Sequence, residues 1–320
     1  MEQIYPLIRA VVIFFLLVLL IQILKREGIF TTANLPVFGK LITELVLPIA
    51  IFSTMAVSRV EVQYIFAAGI YLAISLATCG IAYLICRRLG FTRAVTGSIV
   101  ILAGFGSTAT IAYPLIIQTY GAGSEALTGA LVIGEFGSTI PFFTLGVLIC
   151  SYFGRKEESG VGSSGAWIAS AKAFVRTPIF LSLVAGLVVS AIPPVSALMA
   201  TNFATSFFDY FNNGFEMLVA ITVGLMLRPV KIKEILPYLA VALPLALLFM
   251  PLAVFGLASL LPVTAVTREV LLIEAAVPSG AIAAVVADRY GCDGPLASTI
   301  VVVAFLCSLI TLPLLSILLL

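Results

Sequence analysis

Histidine is absent from all 320 residues, and charged residues make up only 10% of them. Without an imidazole there is no histidine metal ligand, no Ser-His-Asp triad and no histidine proton relay. The shortage of charge comes with 62% hydrophobic residues and a mean hydropathy of +1.21. A soluble domain is usually about a quarter charged, so this chain has too little polar surface to cover a soluble globule. Lipid suits most of its surface better. Cysteine is also scarce. Cys79, Cys86, Cys150, Cys292 and Cys307 form no CxxC pair, and Cys79 and Cys86 are seven apart on one apolar run. That spacing on a continuous helix is too long for a disulfide. The cysteines read as small packing residues, and neither a metal nor a cofactor is expected. The net charge of +2 is small and its basic residues are scattered through short loops, which argues against a nucleic-acid partner. The first apolar stretch lacks a basic leader and a small-residue cleavage site, so it is expected to be a retained span.

Long apolar runs are what the chain does have. Runs of about 20 residues, enough to cross a bilayer, lie near 6–24, 35–57, 64–86, 94–119, 126–152, 177–195, 207–227, 235–261, 266–287 and 296–319. They predict an all-α polytopic membrane protein with ten transmembrane helices and no separate soluble domain. A Gly/Ser-rich polar link falls at the midpoint. It divides the chain into a first five-span unit, 1–153, a linker, 154–175, and a second five-span unit, 176–320. The loops after odd-numbered spans hold 14 of the 17 Lys and Arg; the other side has only Arg9, Arg59 and Arg268. The positive-inside rule puts the first side, linker included, in the cytoplasm, with both termini outside. The expected location is the inner (plasma) membrane.

The two units echo one another. The stretch around Tyr120-Gly121 resembles that around Tyr290-Gly291, 170 residues on. Glu44 and Glu216 open spans two and seven, and Arg59 and Arg228 close them. With five spans each, the second unit enters the membrane from the opposite side, so the units are expected to be inverted repeats, a design of secondary transporters. Span four gathers Gly104, Gly106, Ser107, Thr108 and Thr110 at mid-depth, followed by Tyr113 and Pro114. Span nine has Pro278, Ser279 and Gly280 at matching depth. Glycine weakens a helix, and proline removes an amide donor. Irregular backbone at this depth survives only when buried in protein or lining a wet cavity, and paired broken spans point to a substrate site. A structural alternative stands beside this one, since Pro and Gly also simply kink membrane helices. Pro6, Pro48, Pro237, Pro244 and Pro251 lack a matched partner and are left as kinks or ends.

Two acidic residues stand inside apolar runs. Glu135 is mid-span in span five, with Ser138 and Thr139 one turn on. Glu274 lies four residues before Pro278. A carboxylate at this depth is costly unless it is protonated, paired or hydrated, which makes each a functional-site candidate. A structural hydrogen bond inside the bundle is the alternative role. Glu44 and Glu216 lie nearer water.

These residues together resemble the auxin efflux carrier family, which includes plant PIN-type carriers and bacterial malate or malonate permeases. The resemblance covers nearly the whole chain. It is carried by ELVLPIAIFSTMA (44–56), by span four through YPLIIQTYG (113–121), and most specifically by EAAVPSGAIAAVVADRYGCDGPLASTIVVVAFLCSLITLPL (274–314). It implies two inverted five-helix repeats, similar to bile-acid symporter and sodium/proton antiporter folds. It also implies a scaffold of spans 1, 2, 6 and 7, and a moving transport domain of spans 3–5 and 8–10. Broken spans four and nine would cross, with an anionic substrate held there. Two departures stand out. Ser107 occupies a position where the family often has Asn, and Glu274 one where plant carriers have Gln.

The function expected is therefore a secondary transporter, not an enzyme, moving a small organic anion by an elevator mechanism. Ser107, Thr108, Tyr113, Pro114, Pro278, Ser279 and Gly280 are the expected substrate-binding residues. Glu135, Ser138 and Glu274 are the expected place for a coupling proton or sodium ion, and the added carboxylate of Glu274 could instead meet an amine carried by the substrate. Partners are the substrate, the bilayer and the coupling ion, and a homodimer is the oligomeric state to test. The alternatives are a sodium- or proton-coupled exchanger on the same fold, and a membrane ligand sensor that does not transport.

Overall fold

Continuous apolar runs of about 20 residues favour helix in lipid, because a helix satisfies its amides within its own segment. The computed structural model describes residues 5–57, 62–106, 112–120, 124–154, 172, 175–199, 201–227 and 232–319. These are helices joined by short turns, and no strand occurs among them. Ser107, Thr108, Thr110, Arg59, Arg228, Gly121 and most of the midpoint linker lie outside the described residues.

Helix lies over each of the ten apolar stretches. The first stretch is α1 (Tyr5–Arg26), and the second is α2 (Leu35–Leu41) with α3 (Leu47–Val57). The third is α4 (Val62–Arg88). The fourth is α5 (Arg93–Gly104) with α6 (Tyr113–Tyr120), and the fifth α7 (Glu125–Ile133) with α8 (Val147–Phe153). The second unit continues with α9 (Pro178–Ser190), α10 (Pro193–Met199) and α11 (Asn202–Met226). Then come α12 (Ile232–Pro244) with α13 (Met250–Ser259), α14 (Ala265–Ala276) with α15 (Ala281–Arg289), and α16 (Gly294–Leu319). Among the described residues, five helical stretches are long and apolar enough to cross a membrane. The number is seven if each of two bent pairs, α9 with α10 (104°) and α14 with α15 (53°), counts as one span. Many large apolar side chains on these helices point outward, among them Leu16, Phe66, Leu84, Leu181 and Ile310, which suits a lipid-facing surface.

Local sequence explains where the helices start and deform. Thr92, Ser124, Thr177 and Thr264 cap α5, α7, α9 and α14 by accepting the amides of Val95, Leu127, Phe180 and Thr267. Three of the four π-helical turns among the described residues, Ile42–Val46, Gly134–Thr139 and Leu245–Phe249, end two residues before a proline, Pro48, Pro141 and Pro251; the fourth, Phe142–Gly146, does not. The missing proline amide frees a carbonyl inside the preceding turn, and the wider turn accommodates it. Pro48 and Pro251 thus shape the helix without ending it.

The packing falls into recurring pairs. α1 runs along α11, and α3 along α9. α4 lies against α5 and the Gly134–Thr139 turn, and α13 lies against α14 and α4. α14 packs on α7 and α5 on α16, while α6 packs on α7 and α15 on α16. The turn between α15 and α16 is sewn to its neighbours. Its Asp293 amide donates to Ala94 O (3.3 Å), and its Asp293 carbonyl accepts from Ser98 Oγ (3.0 Å). Gly291, at φ +85°, lies so close to Gly154 that a Cβ on Gly154 would stand 1.9 Å from Tyr290 O, so glycine is required there.

Candidate functional site

The two interrupted stretches are built alike. α5 and α14 are each 12 residues long, each begins on a capping threonine, and each ends in an extended residue: Phe105 (φ −124°, ψ 118°) and Val277 (φ −75°, ψ 141°). At a 1.5 Å rise, 12 residues reach about 18 Å, little more than half of a bilayer core. Both helices therefore stop inside the protein, and α6 and α15 resume beyond. The interruption in span nine is Val277–Gly280. In span four the helix stops before Phe105 and Gly106 and resumes by Tyr113, with 107–111 outside the described residues.

The two stops touch. A Cβ on Gly106 would lie 3.2 Å from both Glu274 O and Val277 O, and 3.0 Å from Tyr71 Oη. A side chain at 106 would crowd these backbones, so glycine favours their close approach. Tyr71, fully buried on α4, donates to Glu274 O at 3.5 Å. Ser75, one turn on, donates to Gly104 O. The last carbonyls of both half-helices, which lack intrahelical partners, are thus met partly by hydroxyls of α4.

Span five ties both lips of the span-four break together. Its π-helical turn carries Glu135 and Ser138. Ser138 Oγ donates to Gly106 O (3.3 Å) at the end of α5, and Tyr113 Oη, at the start of α6, donates to Glu135 Oε1 (3.5 Å). Tyr113 fits because Gly134 leaves it room; a Cβ there would be 2.3 Å from the Tyr113 hydroxyl. Glu274 is completely buried in the last turn of α14, within electrostatic reach of Glu135. Among the described residues, Glu135 Oε2, both Glu274 carboxylate oxygens and Ser279 Oγ are buried with no hydrogen-bond partner. No Lys or Arg occurs between 94 and 154 or between 269 and 288, so neither stretch supplies a cation.

The expected site residues are thus distributed as follows. Tyr113, Glu135, Ser138 and Glu274 are drawn into one cluster with Gly106. Pro278 and Ser279 are buried in the span-nine break, and Gly280 caps α15. Pro114 is the second residue of α6. Ser107 and Thr108 lie outside the described residues. Sequence reasoning missed Tyr71 and Ser75. The available signal was weak: a tyrosine in an apolar run needs a partner for its hydroxyl, but nothing in the sequence says which.

At one end of these helices Tyr64 donates to Glu125 Oε1 (3.1 Å) and Tyr120 donates to Glu269 Oε2. At the other end, Arg289 of α15 pairs with Glu44 in the Ile42–Val46 turn. Burial raises the neighbouring Tyr290 phenol, with the Arg289 charge opposing that shift, so Tyr290 stays neutral beside the ion pair. Cys79 and Cys292 fill space against Gly104 and Gly97, where a Cβ would come within 2.3 and 2.5 Å of their sulfurs, which is a packing role.

Comparison with known proteins extends this picture. The family described as Membrane transport protein matches residues 6–316. A protein of Methanothermobacter thermautotrophicus, described as an uncharacterized transporter, is 26% identical over 307 residues, 95% of each chain.

Proposed function

Because the chain belongs to the membrane transport protein family, we propose that it is a secondary transporter in which a small organic anion binds where broken spans four and nine meet. The observation that carries this reading is the contact of the two helix stops, Gly106 against the carbonyls of Glu274 and Val277, deep in an apolar bundle. Two backbones are interrupted at one point, and the freed amides and carbonyls need a polar occupant. The N-termini of α6 and α15 suit a carboxylate. Ser107, Thr108 and Ser279 would add short hydroxyl donors and Tyr113 would line the site, with Pro114, Pro278 and Gly280 holding the backbone open.

The two units are read as inverted repeats. Reciprocal packing supports this: α1 on α11 is matched by α9 on α3, α4 on α5 by α13 on α14, and α14 on α7 by α5 on α16. Spans 1, 2, 6 and 7 would form the scaffold and spans 3–5 and 8–10 the body that moves. Substrate then travels with its site. The same orphaned carboxylates favour a second reading, a proton- or sodium-coupled exchanger on this fold. In either case Glu135 and Glu274 require a positive partner during the cycle, because bare carboxylates are expensive there: a proton, a metal ion or an amine of the substrate.

Binding of a panel of organic anions to the purified protein, read as a rise in melting temperature with and without sodium and at two pH values, tests the proposal. Ser279→Trp fills the crossover without adding charge. It is expected to abolish binding while the protein stays folded. Normal affinity in a well-folded Ser279→Trp protein would put the site elsewhere.

A further inference from the structure

Three carboxylate oxygens at the crossover lack a hydrogen-bond donor among the described residues: Glu135 Oε2, Glu274 Oε1 and Glu274 Oε2. One proton shared between the two carboxyls would serve at most two of them. A hard metal cation gathers about six oxygens, twice the number of carboxylate oxygens left without a donor here. An ammonium group carries three N–H donors and a positive charge, which matches the three orphaned acceptors in number and sign. The ends of α5 and α14 add to this. Both are helix C-termini, which favour positive charge, and they touch at Gly106.

The opposite side of the same break offers donors. Ser279 Oγ is buried and unpartnered among the described residues. α15 starts at Ala281 with no side-chain cap from Gly280, so its first amides face the break without a side-chain acceptor. Ser279 stands five positions after Glu274, and the polarity reverses between them.

We infer that the substrate is a zwitterion of the α-amino acid class, its ammonium held by Glu135 and Glu274 and its carboxylate by Ser279 and the start of α15. This rests on the crossover being the carrier's substrate site. It adds that the cation these carboxylates take belongs to the substrate. Recognition of an ammonium by two buried carboxylates separates an amino acid from the 2-hydroxy acid that shares its side chain and carboxylate.

The test uses purified full-length protein in sodium-free, choline-based buffer at neutral pH, with the common α-amino acids and their matching 2-hydroxy acids as probes. Melting temperature and calorimetric titration are the readouts. At least one amino acid is expected to bind at least tenfold more tightly than its hydroxy acid, since a charge-assisted hydrogen bond is lost. Sodium should leave that affinity unchanged. Glu135→Gln and Glu274→Gln should each reduce the preference, and their ligand-free melting curves show whether they fold. Equal or tighter binding of a hydroxy acid, or amino-acid binding that appears only with sodium, overturns the inference and leaves the organic-anion carrier standing. If neither series binds, the inference falls and the carrier reading loses its carboxylate substrate as well.

Discussion

A methyl group at position 106 would stand 3.0 Å from the Tyr71 hydroxyl and 3.2 Å from two carbonyl oxygens of span nine. Each contact is tight without being impossible, so Gly106→Ala should fold at a cost of about 1–3 kcal/mol, the usual range for overpacking. It should push the two breaks apart. We expect a lower melting temperature and weaker substrate binding together; normal binding would mean that the close approach at Gly106 is not needed for the site. Glu274 differs in kind. Its carboxylate is fully buried and without a partner among the described residues, and an ionised group so placed destabilises the fold. Glu274→Gln keeps the shape and removes the charge. The ligand-free variant should therefore melt at a higher temperature than the parent in mildly alkaline buffer. A lower melting temperature would show that the carboxylate has a favourable partner after all.

At the scale of the helix, the break in span nine depends on two residues, Pro278 and Gly280. Pro278 withholds an amide, Gly280 is a poor helix former, and Val277 to Gly280 are non-helical while α14 and α15 meet at 53°. Pro278→Ala combined with Gly280→Ala restores good helix formers at both positions. It should heal the break, keep or raise thermal stability, and stop transport, because freed amides and carbonyls would return to the helix. Amide hydrogen exchange across 277–283 would follow the healing, with slower exchange in the double variant. Full transport by a protein with measurably slower exchange there would make the break a structural kink only. Span five makes the complementary point. Its π-helical turn, set by Pro141, brings Glu135 and Ser138 to opposite lips of the span-four break.

For the whole molecule, the Arg289–Glu44 ion pair bridges the body proposed to move and the proposed scaffold. With 38% and 47% of the two side chains exposed, it contributes at most about 1 kcal/mol and weakens with salt. It can therefore break during a transport cycle. A thiol-reactive bifunctional cross-link between Glu44→Cys and Arg289→Cys could not. Cross-linking that pair through a reducible spacer should arrest uptake in reconstituted vesicles, and reduction should restore it. Uptake that continues in fully cross-linked protein would rule out relative motion of these bodies. Orientation is testable separately. A cysteine at residue 160, in the linker expected inside, should resist labelling by an impermeant reagent added to sealed cells, and ready labelling would reverse the topology.

What the sequence determined by itself is the class of solvent and the places where helix fails. A chain with 10% charge and 62% apolar residues, gathered in runs of about 20, selects helix in lipid, and Gly, Ser, Thr and Pro at mid-depth mark weak points because their effects are local to the backbone. Glu135 and Glu274 were legible for the same local reason, as carboxylates in apolar runs. The contacts were not legible. That Gly106 meets Glu274 and Val277, that Tyr71 supplies a hydroxyl to the span-nine stop, and that Ser138 and Tyr113 join span five to both lips of span four are pairings between residues 22 to 203 positions apart. Hydrophobic burial in lipid is nearly indifferent to which apolar face meets which. Close packing around glycine and hydrogen bonds between buried polar groups select the partners, and both exist only once the helices have assembled.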